Sequence, residues 1–158
     1  MPMSTRANLR ALNDCAFRNM GVSMLGDDVD RSDALQVLVV EDDAADLYLL
    51  KAALADNPRV CEVVAAQDGV EAMELIESGA VNPDLAIIDL QMPRKNGLAL
   101  LLELRTRGDT SFPSIVLTSS RSAADAMRSR NRGAELFLVK PDSIEKLTAL
   151  MDDVISVL

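Results

Sequence analysis

Histidine is absent from the 158 residues of this chain. That absence excludes Ser-His-Asp and Cys-His catalysis, histidine-ligated zinc, and any phosphohistidine carried by the chain itself. Cysteine is scarce: Cys15 and Cys61 are the only two. Two cysteines make no disulfide framework, so both read as small apolar residues in a reducing, cytoplasmic setting. No apolar run approaches the roughly 20 residues a membrane helix needs. The N-terminus lacks the continuous apolar core of a secretory signal. A basic face is missing too. The formal net charge is −9, which argues against nucleic-acid binding. Internal repeats and low-complexity tracts are also lacking.

What is present suits one domain with a real core: 49% of the residues are hydrophobic. From Ala34 onward strand-like and helix-like segments alternate. Apolar runs occur at Leu35–Val40, Val60–Ala66, Asp84–Asp89, Ser114–Thr118 and Glu135–Val139. Near-continuous apolar strands imply burial on both faces, as in a parallel sheet covered by helices. Helix-like stretches fill the gaps at Ala44–Asp56, Gly69–Ser78, Gly97–Arg107, Ser122–Asn131 and Ser143–Val157. Gly79, Gly108 and Gly133 follow three of them as C-terminal stops. The pattern predicts an α/β fold, a doubly wound five-stranded parallel sheet.

Residues 1–33 read as a separate N-terminal extension before a domain over 34–158. Leu9, Leu12, Ala16, Phe17 and Met20 fall at helical spacing. The acidic stretch Gly26-Asp27-Asp28-Val29-Asp30 then reads as a linker. Partial helix, disorder, docking on the domain or on a second copy, and a later start at Met20 or Met24 all remain open for this arm.

The informative residues sit at strand ends. Asp89 closes Leu85-Ala86-Ile87-Ile88 and precedes a Pro/Gly loop, Leu90 to Gly97. Glu41-Asp42-Asp43 follow the first strand, Thr118 ends the fourth, and Lys140 follows the fifth. In the order 2-1-3-4-5 these groups converge on the crevice at the topological switch point. Crowded carboxylates are costly unless a cation lies between them, and an oxygen-only set suits Mg²⁺. Asp89 can serve as a nucleophile toward phosphorus. Asp42 and Asp89, with Glu41 in support and the Gln91 backbone carbonyl, can hold the metal. Lys140 offers a point charge and Thr118 a hydroxyl to a phosphoryl oxygen. Taken singly, each has a plainer reading. Asp89 is a cap or turn, Asp42 or Asp43 caps the helix at Ala44, Thr118 is a strand residue, and Lys140 is a solvated strand end.

The segments VLVVEDD, PDLAIIDLQMPRKNG, PSIVLTSS and GAELFLVKP closely resemble the receiver domain of two-component response regulators. The resemblance runs from Leu35 almost to the C-terminus. It implies a flavodoxin-like (βα)5 fold, Asp89 as phospho-acceptor, and Glu41 and Asp42 as the acidic pair. It further implies Thr118 as the switch hydroxyl, Lys140 as the phosphoryl-binding lysine, and a cis peptide between Lys140 and Pro141. Phe137 stands where many members carry the switch tyrosine, so the ring is kept and the hydroxyl lost. VEDDAADLYLLKAAL also resembles small stand-alone regulators partnered with phytochrome-type kinases.

The implied function is a bacterial signalling switch rather than an enzyme acting on a substrate. A partner histidine kinase or phosphotransfer protein supplies the phosphoryl, Mg²⁺ assists, and the chain catalyses its own phosphorylation and dephosphorylation. Because the sequence ends after the fifth helix, output is expected through protein contact, self-association or onward relay. A phosphorelay intermediate or phosphate sink is the alternative. An aspartate-nucleophile phosphohydrolase would need an acid two residues after Asp89, where Gln91 stands. A flavin domain would need a Gly/Ser/Thr cradle where Glu41-Asp42-Asp43-Ala44-Ala45-Asp46 stands. A receiver kept only as a binding module would not need every chemical group in place. A homodimer through helix four, strand five and helix five is expected. The basis is the apolar stripe Ile144, Leu147, Leu150, Met151, Val154, Ile155 and Leu158, together with Arg128, Arg130 and Arg132 facing acidic residues near helix five.

Overall fold

The computed structural model describes residues 34–108 and 111–158. The expectations for residues 1–33 lie outside the described residues. Five strands form one parallel sheet: β1 Leu35–Val40, β2 Val60–Ala66, β3 Leu85–Ile88, β4 Ser114–Thr118 and β5 Leu136–Val139. Their spatial order is β2-β1-β3-β4-β5. The helices are α1 Ala44–Ala55, α2 Gly69–Glu77, α3 Gly97–Arg107, α4 Ala123–Asn131 and α5 Ile144–Ser156. This is the flavodoxin-like doubly wound arrangement, in which strand order reverses between β1 and β3.

Strand alternation separates two apolar layers. Val37 and Val39 of β1, Leu85 and Ile87 of β3, and Ile115 and Leu117 of β4 point to one face, where Leu50, Leu54, Met151 and Ile155 of α1 and α5 cover them. Leu38, Val40, Ala86, Ile88 and Val116 point to the other, under Met73 of α2 and Leu100, Leu101 and Leu104 of α3. The three central strands are buried along their whole length. β2 and β5 are only partly buried, contrary to the reading of all five as buried on both faces. They are the sheet edges, with a neighbouring strand on one side only.

Helix ends follow local chemistry. Asp43, Asp68, Asn96, Ser122 and Ser143 are N-caps whose side chains accept hydrogen bonds from the first turn. Ser122 and Ser143, expected inside their helices, therefore stand just outside. Gly108 ends α3 at φ 74°, a left-handed backbone that glycine adopts without steric cost.

Three expectations need correction. No cis peptide occurs among the described residues, so Lys140–Pro141 is trans. The Lys140 N–H donates to the Thr118 carbonyl at 2.8 Å, which continues the ladder one residue past β5. The side chain reaches the crevice from there with the trans bond that X-Pro peptides favour. Most of the α5 stripe is covered: Leu147, Met151, Val154 and Ile155 are buried and Ile144 and Leu150 pack on the same core, while Leu158 is exposed. α1 and the sheet together cover what the sheet alone could not. Cys61 is not a free apolar thiol but disulfide-bonded. It lies half-buried on the edge strand β2. Cys15 is outside the described residues.

Leu100 is fully buried, whereas Leu102 on the same helix is 44% exposed. Leu100→Ala is expected to cost about 3 kcal/mol in urea unfolding, and Leu102→Ala less than about 0.5 kcal/mol.

Candidate functional site

Register brings the site together. Val40 pairs with Ile88, so Glu41 and Asp89 are the next residues on adjacent strands. Thr118 pairs with Val139, which sets Lys140 one step beyond β5. The Asp89 N–H donates to the Val40 carbonyl at 3.0 Å and the Glu41 N–H to the Ala66 carbonyl at 3.0 Å. Both carboxylates are thus anchored to the sheet edge by their own backbone.

The side chains converge as far as their strand ends allow. Carboxylate oxygens of Glu41, Asp42 and Asp89 lie within 4.8 Å of one another. Glu41 and Asp89 are buried, and Asp42 is exposed at the rim. The two candidate caps separate clearly. Asp43 turns to cap α1, accepting from the Asp46 N–H at 2.9 Å, and leaves Asp42 to the site. The Asp43 N–H in turn donates to Glu41 Oε1 at 3.0 Å. Asp89 caps no helix, because Asn96 caps α3. Its Oδ1 accepts from the Leu90 N–H at 2.8 Å, while Oδ2 faces Lys140.

Lys140 supplies the charge that makes the cluster tolerable. Its Nζ donates to Glu41 Oε2 at 2.7 Å, to Asp46 Oδ2 at 2.8 Å and, more distantly, to Asp89 Oδ2 at 3.4 Å. Burial opposes its charge, but the hydrogen bonds to Asp46 and Glu41 and the nearby carboxylates outweigh burial and hold its pKa above the usual lysine range. Glu41 is shifted upward. Burial is the main cause, only partly offset by its bonds from Lys140 and the Asp43 N–H, and the Asp89 charge adds to the rise. Two unit charges about 4 Å apart repel by about 4 kcal/mol at an effective dielectric constant of about 20. One ammonium among several carboxylates leaves the site net negative. Three convergent carboxylates form an oxygen-only donor set, which fits a hard divalent cation.

Thr118 is buried at the end of β4, its Oγ1 accepting from the Ser120 N–H at 3.3 Å. Gln91 is exposed two residues after Asp89. Phe137 does not join the polar cluster. It is half-buried and packs against the apolar layer shared with α2 and α3.

Sequence reasoning missed three residues. Asp46 was visible only as one more acid in the β1–α1 segment, and its bond to Lys140 spans 94 positions. Asp68 and Arg94 hold the loop that follows Asp89. Arg94 has φ 58°, a left-handed conformation costing an L-residue about 1–2 kcal/mol. Its Nε donates to Asp68 Oδ2 at 2.5 Å, and the Gly69 N–H donates to the Lys95 carbonyl at 3.0 Å. The loop is therefore pinned to the start of α2. Asp68 had a cap signal, lying just before Gly69-Val70-Glu71, but nothing local pointed to Arg94. Behind the loop, a Cβ on Gly97 would fall 2.2 Å from the Asp89 carbonyl oxygen, so only glycine lets α3 begin there.

A doubly wound sheet with an acid-lysine cluster at its switch point defines the class. The chain matches the family profile of the response regulator receiver domain over residues 37–152. It is 38% identical over 117 residues to response regulator MprA of Mycobacterium sp. (strain KMS), covering 74% of this chain and 49% of that protein. MprA of Mycobacterium ulcerans is 38% identical over 118 residues, covering 75% and 49%. The chain spans about half the length of the curated relatives it matches. Among solved structures, the phosphorylated cyanobacterial phytochrome response regulator RcpA superimposes with a TM-score of 0.71 at 28% identity, over 77% of this chain and 91% of that one. The Mn²⁺-bound form of response regulator Rcp1 gives 0.69 at 26%, over 77% and 92%. The chain belongs to the response regulator receiver domain family.

The hydrogen bonds from the Glu71 and Val70 N–H groups and from Arg94 outweigh burial and lower the Asp68 pKa, the Glu71 bond contributing most. Such a group stabilises the fold above its unfolded pKa of about 3.9, and the contribution disappears as pH falls through the folded value. Asp68→Asn keeps a cap acceptor and loses the charge. Wild type is expected to exceed this variant in stability at pH 7, with the gap closing below about pH 4 in urea titrations. A gap that persists undiminished in acid would assign the effect to something other than the charge.

Proposed function

We propose that the chain is a phospho-accepting switch in which Asp89 takes a phosphoryl group from a phosphohistidine donor. The observation that carries this reading is the buried Asp89 carboxylate facing Lys140, beside Glu41 and Asp42, at the C-terminal edge of the sheet. This sequence holds no histidine, so the donor imidazole lies outside this chain, on a histidine kinase or phosphotransfer protein. An Asp89 carboxylate oxygen attacks phosphorus. A P–O bond forms as the P–N bond of the donor breaks, and the electron pair leaves on the imidazole nitrogen, which takes up a proton. The product is an acyl phosphate on Asp89.

Lys140 stays cationic at every working pH and offers its ammonium to a phosphoryl oxygen. Thr118, at the end of β4, offers its hydroxyl to another. Asp42, Asp89 and the Gln91 carbonyl, with Glu41 in support, would hold Mg²⁺. When bound, the metal neutralises charge on the transferring group. The phosphorylated form of RcpA and the Mn²⁺-bound form of Rcp1 support both parts of this reading.

The group acts once per donor rather than on a pool of substrate, so the chain is read as a switch and not as an enzyme. Onward relay or storage of phosphate is the alternative use of the same chemistry. Output would pass through α4, β5 and α5 as Lys140 and Thr118 shift toward the phosphoryl, with Phe137 filling the space Thr118 leaves. A homodimer through that surface is one form of output. Its support is Met127, 66% exposed on α4, and Leu136, 38% exposed on β5, beside Arg128 and Arg130; the covered α5 stripe lends none. The N-terminal 33 residues would lie outside this domain.

Two substitutions test the site. Asp89→Asn is expected to abolish labelling by acetyl phosphate, measured as an acid-stable, alkali-labile phosphoprotein; label persisting in the variant places the acceptor elsewhere. In thermal melts, Mg²⁺ at about 100 times its Kd should stabilise wild type by about 2.7 kcal/mol. Asp42→Asn should shift that response to higher Mg²⁺, and an unchanged titration removes Asp42 from the ligand set.

A further inference from the structure

The acid pair and acceptor do not account for everything Lys140 touches. Its second-shortest bond is to Asp46, in the first turn of α1. Nζ is 2.8 Å from Asp46 Oδ2 but 3.4 Å from Asp89 Oδ2. The ammonium is therefore drawn toward α1 and away from the acceptor. The Asp46 side chain is 41% exposed, against 8% for Asp89. It lies at the rim of a cavity of about 130 Å³ between α1 and α5, lined also by Lys140, Leu49, Leu117 and Ile144. The Asp46 backbone is held independently of that bond, by the Asp43 cap and the helix.

We propose that Asp46 is a positioning residue that holds Lys140 in a resting place. A phosphoryl group on Asp89 must win the ammonium from Asp46 before Lys140 can bind it. This rests on Asp89 being the acceptor and deepens that reading by adding a carboxylate that opposes the phosphorylated state. The opposition has a direction. Removing the Asp46 charge leaves Lys140 with Glu41 and Asp89 alone, so the ammonium can move toward the acceptor. A mimic of the aspartyl phosphate should then bind more tightly. Exposed ion pairs are worth up to about 1 kcal/mol, which corresponds to about three- to fivefold in affinity. A purely structural role for Asp46 predicts the opposite sign or no change.

The test is beryllofluoride affinity at saturating Mg²⁺, measured by titration on the whole chain. Asp46→Asn should bind about three- to fivefold more tightly than wild type. Asp46→Glu keeps the carboxylate and should stay at the wild-type value. Asp142→Asn removes a charge that lines the same cavity but pairs with Lys146, and should also match wild type. Unchanged or weaker binding in Asp46→Asn overturns the proposal. So does an equal gain in Asp142→Asn, which would reveal only the loss of general negative charge. Beryllofluoride binding by wild type and its loss in Asp89→Asn report separately on the acceptor, so failure of the underlying reading is distinguishable from failure of the latch.

Discussion

The Lys140 ammonium is the contact on which the site depends. Glu41 and Asp89 are buried side by side at the sheet edge, with Asp42 and Asp46 at the rim. Without a cation the mutual repulsion of such groups would raise their pKa values or push them apart. One part-buried charge bonded to Glu41 and Asp46, and close to Asp89, lets the carboxylates remain together. It does not neutralise them all. The remaining negative charge is the property that suits the site to a divalent cation in the proposed function.

That arrangement is held from behind by ordinary packing. The buried strands β1, β3 and β4 fix where their last residues emerge, and two apolar layers clamp the sheet from both sides. The loop after Asp89 has a second tether. Gly97 packs against the Asp89 carbonyl, and Asp68 with Gly69 ties Arg94 and Lys95 to the start of α2. A left-handed Arg94 is an unfavourable conformation, and its guanidinium bond to Asp68 offsets that cost. The site is thus tethered on the α2–α3 side. On the α1–α5 side it is more open, with a cavity beside Lys140 and a half-exposed Asp46.

Much of this was legible in the chain itself. Apolar runs, glycine stops and polar residues at strand ends were enough to name a doubly wound parallel sheet and to single out Glu41, Asp42, Asp89, Thr118 and Lys140; its strand order came with the family resemblance. Each signal is local, and each is produced by a local cause: burial of a strand, or the chemistry of the turn that ends it. Helix ends were placed to within a residue or two, because side-chain caps such as Ser122 and Ser143 look helical until their backbone angles are known.

What the sequence could not decide were contacts made across the fold. The choice between Asp42 and Asp43 as helix cap was settled by which carboxylate could reach the Asp46 N–H. The α5 stripe looked surplus because its cover, α1, is nearly a hundred residues away in the chain and packs beside it only after folding. The Lys140–Pro141 bond is trans, and the ladder runs on past β5 to the Thr118 carbonyl. Asp46 and Arg94 carry no pattern of their own. Their partners, Lys140 and Asp68, are distant in sequence and adjacent only because the parallel sheet brings the starts of its helices to one edge. Composition and spacing determined the strands and the chemistry at their ends; only tertiary packing determined which charge answers which, because an ion pair is set by distance in space and not by position in the chain.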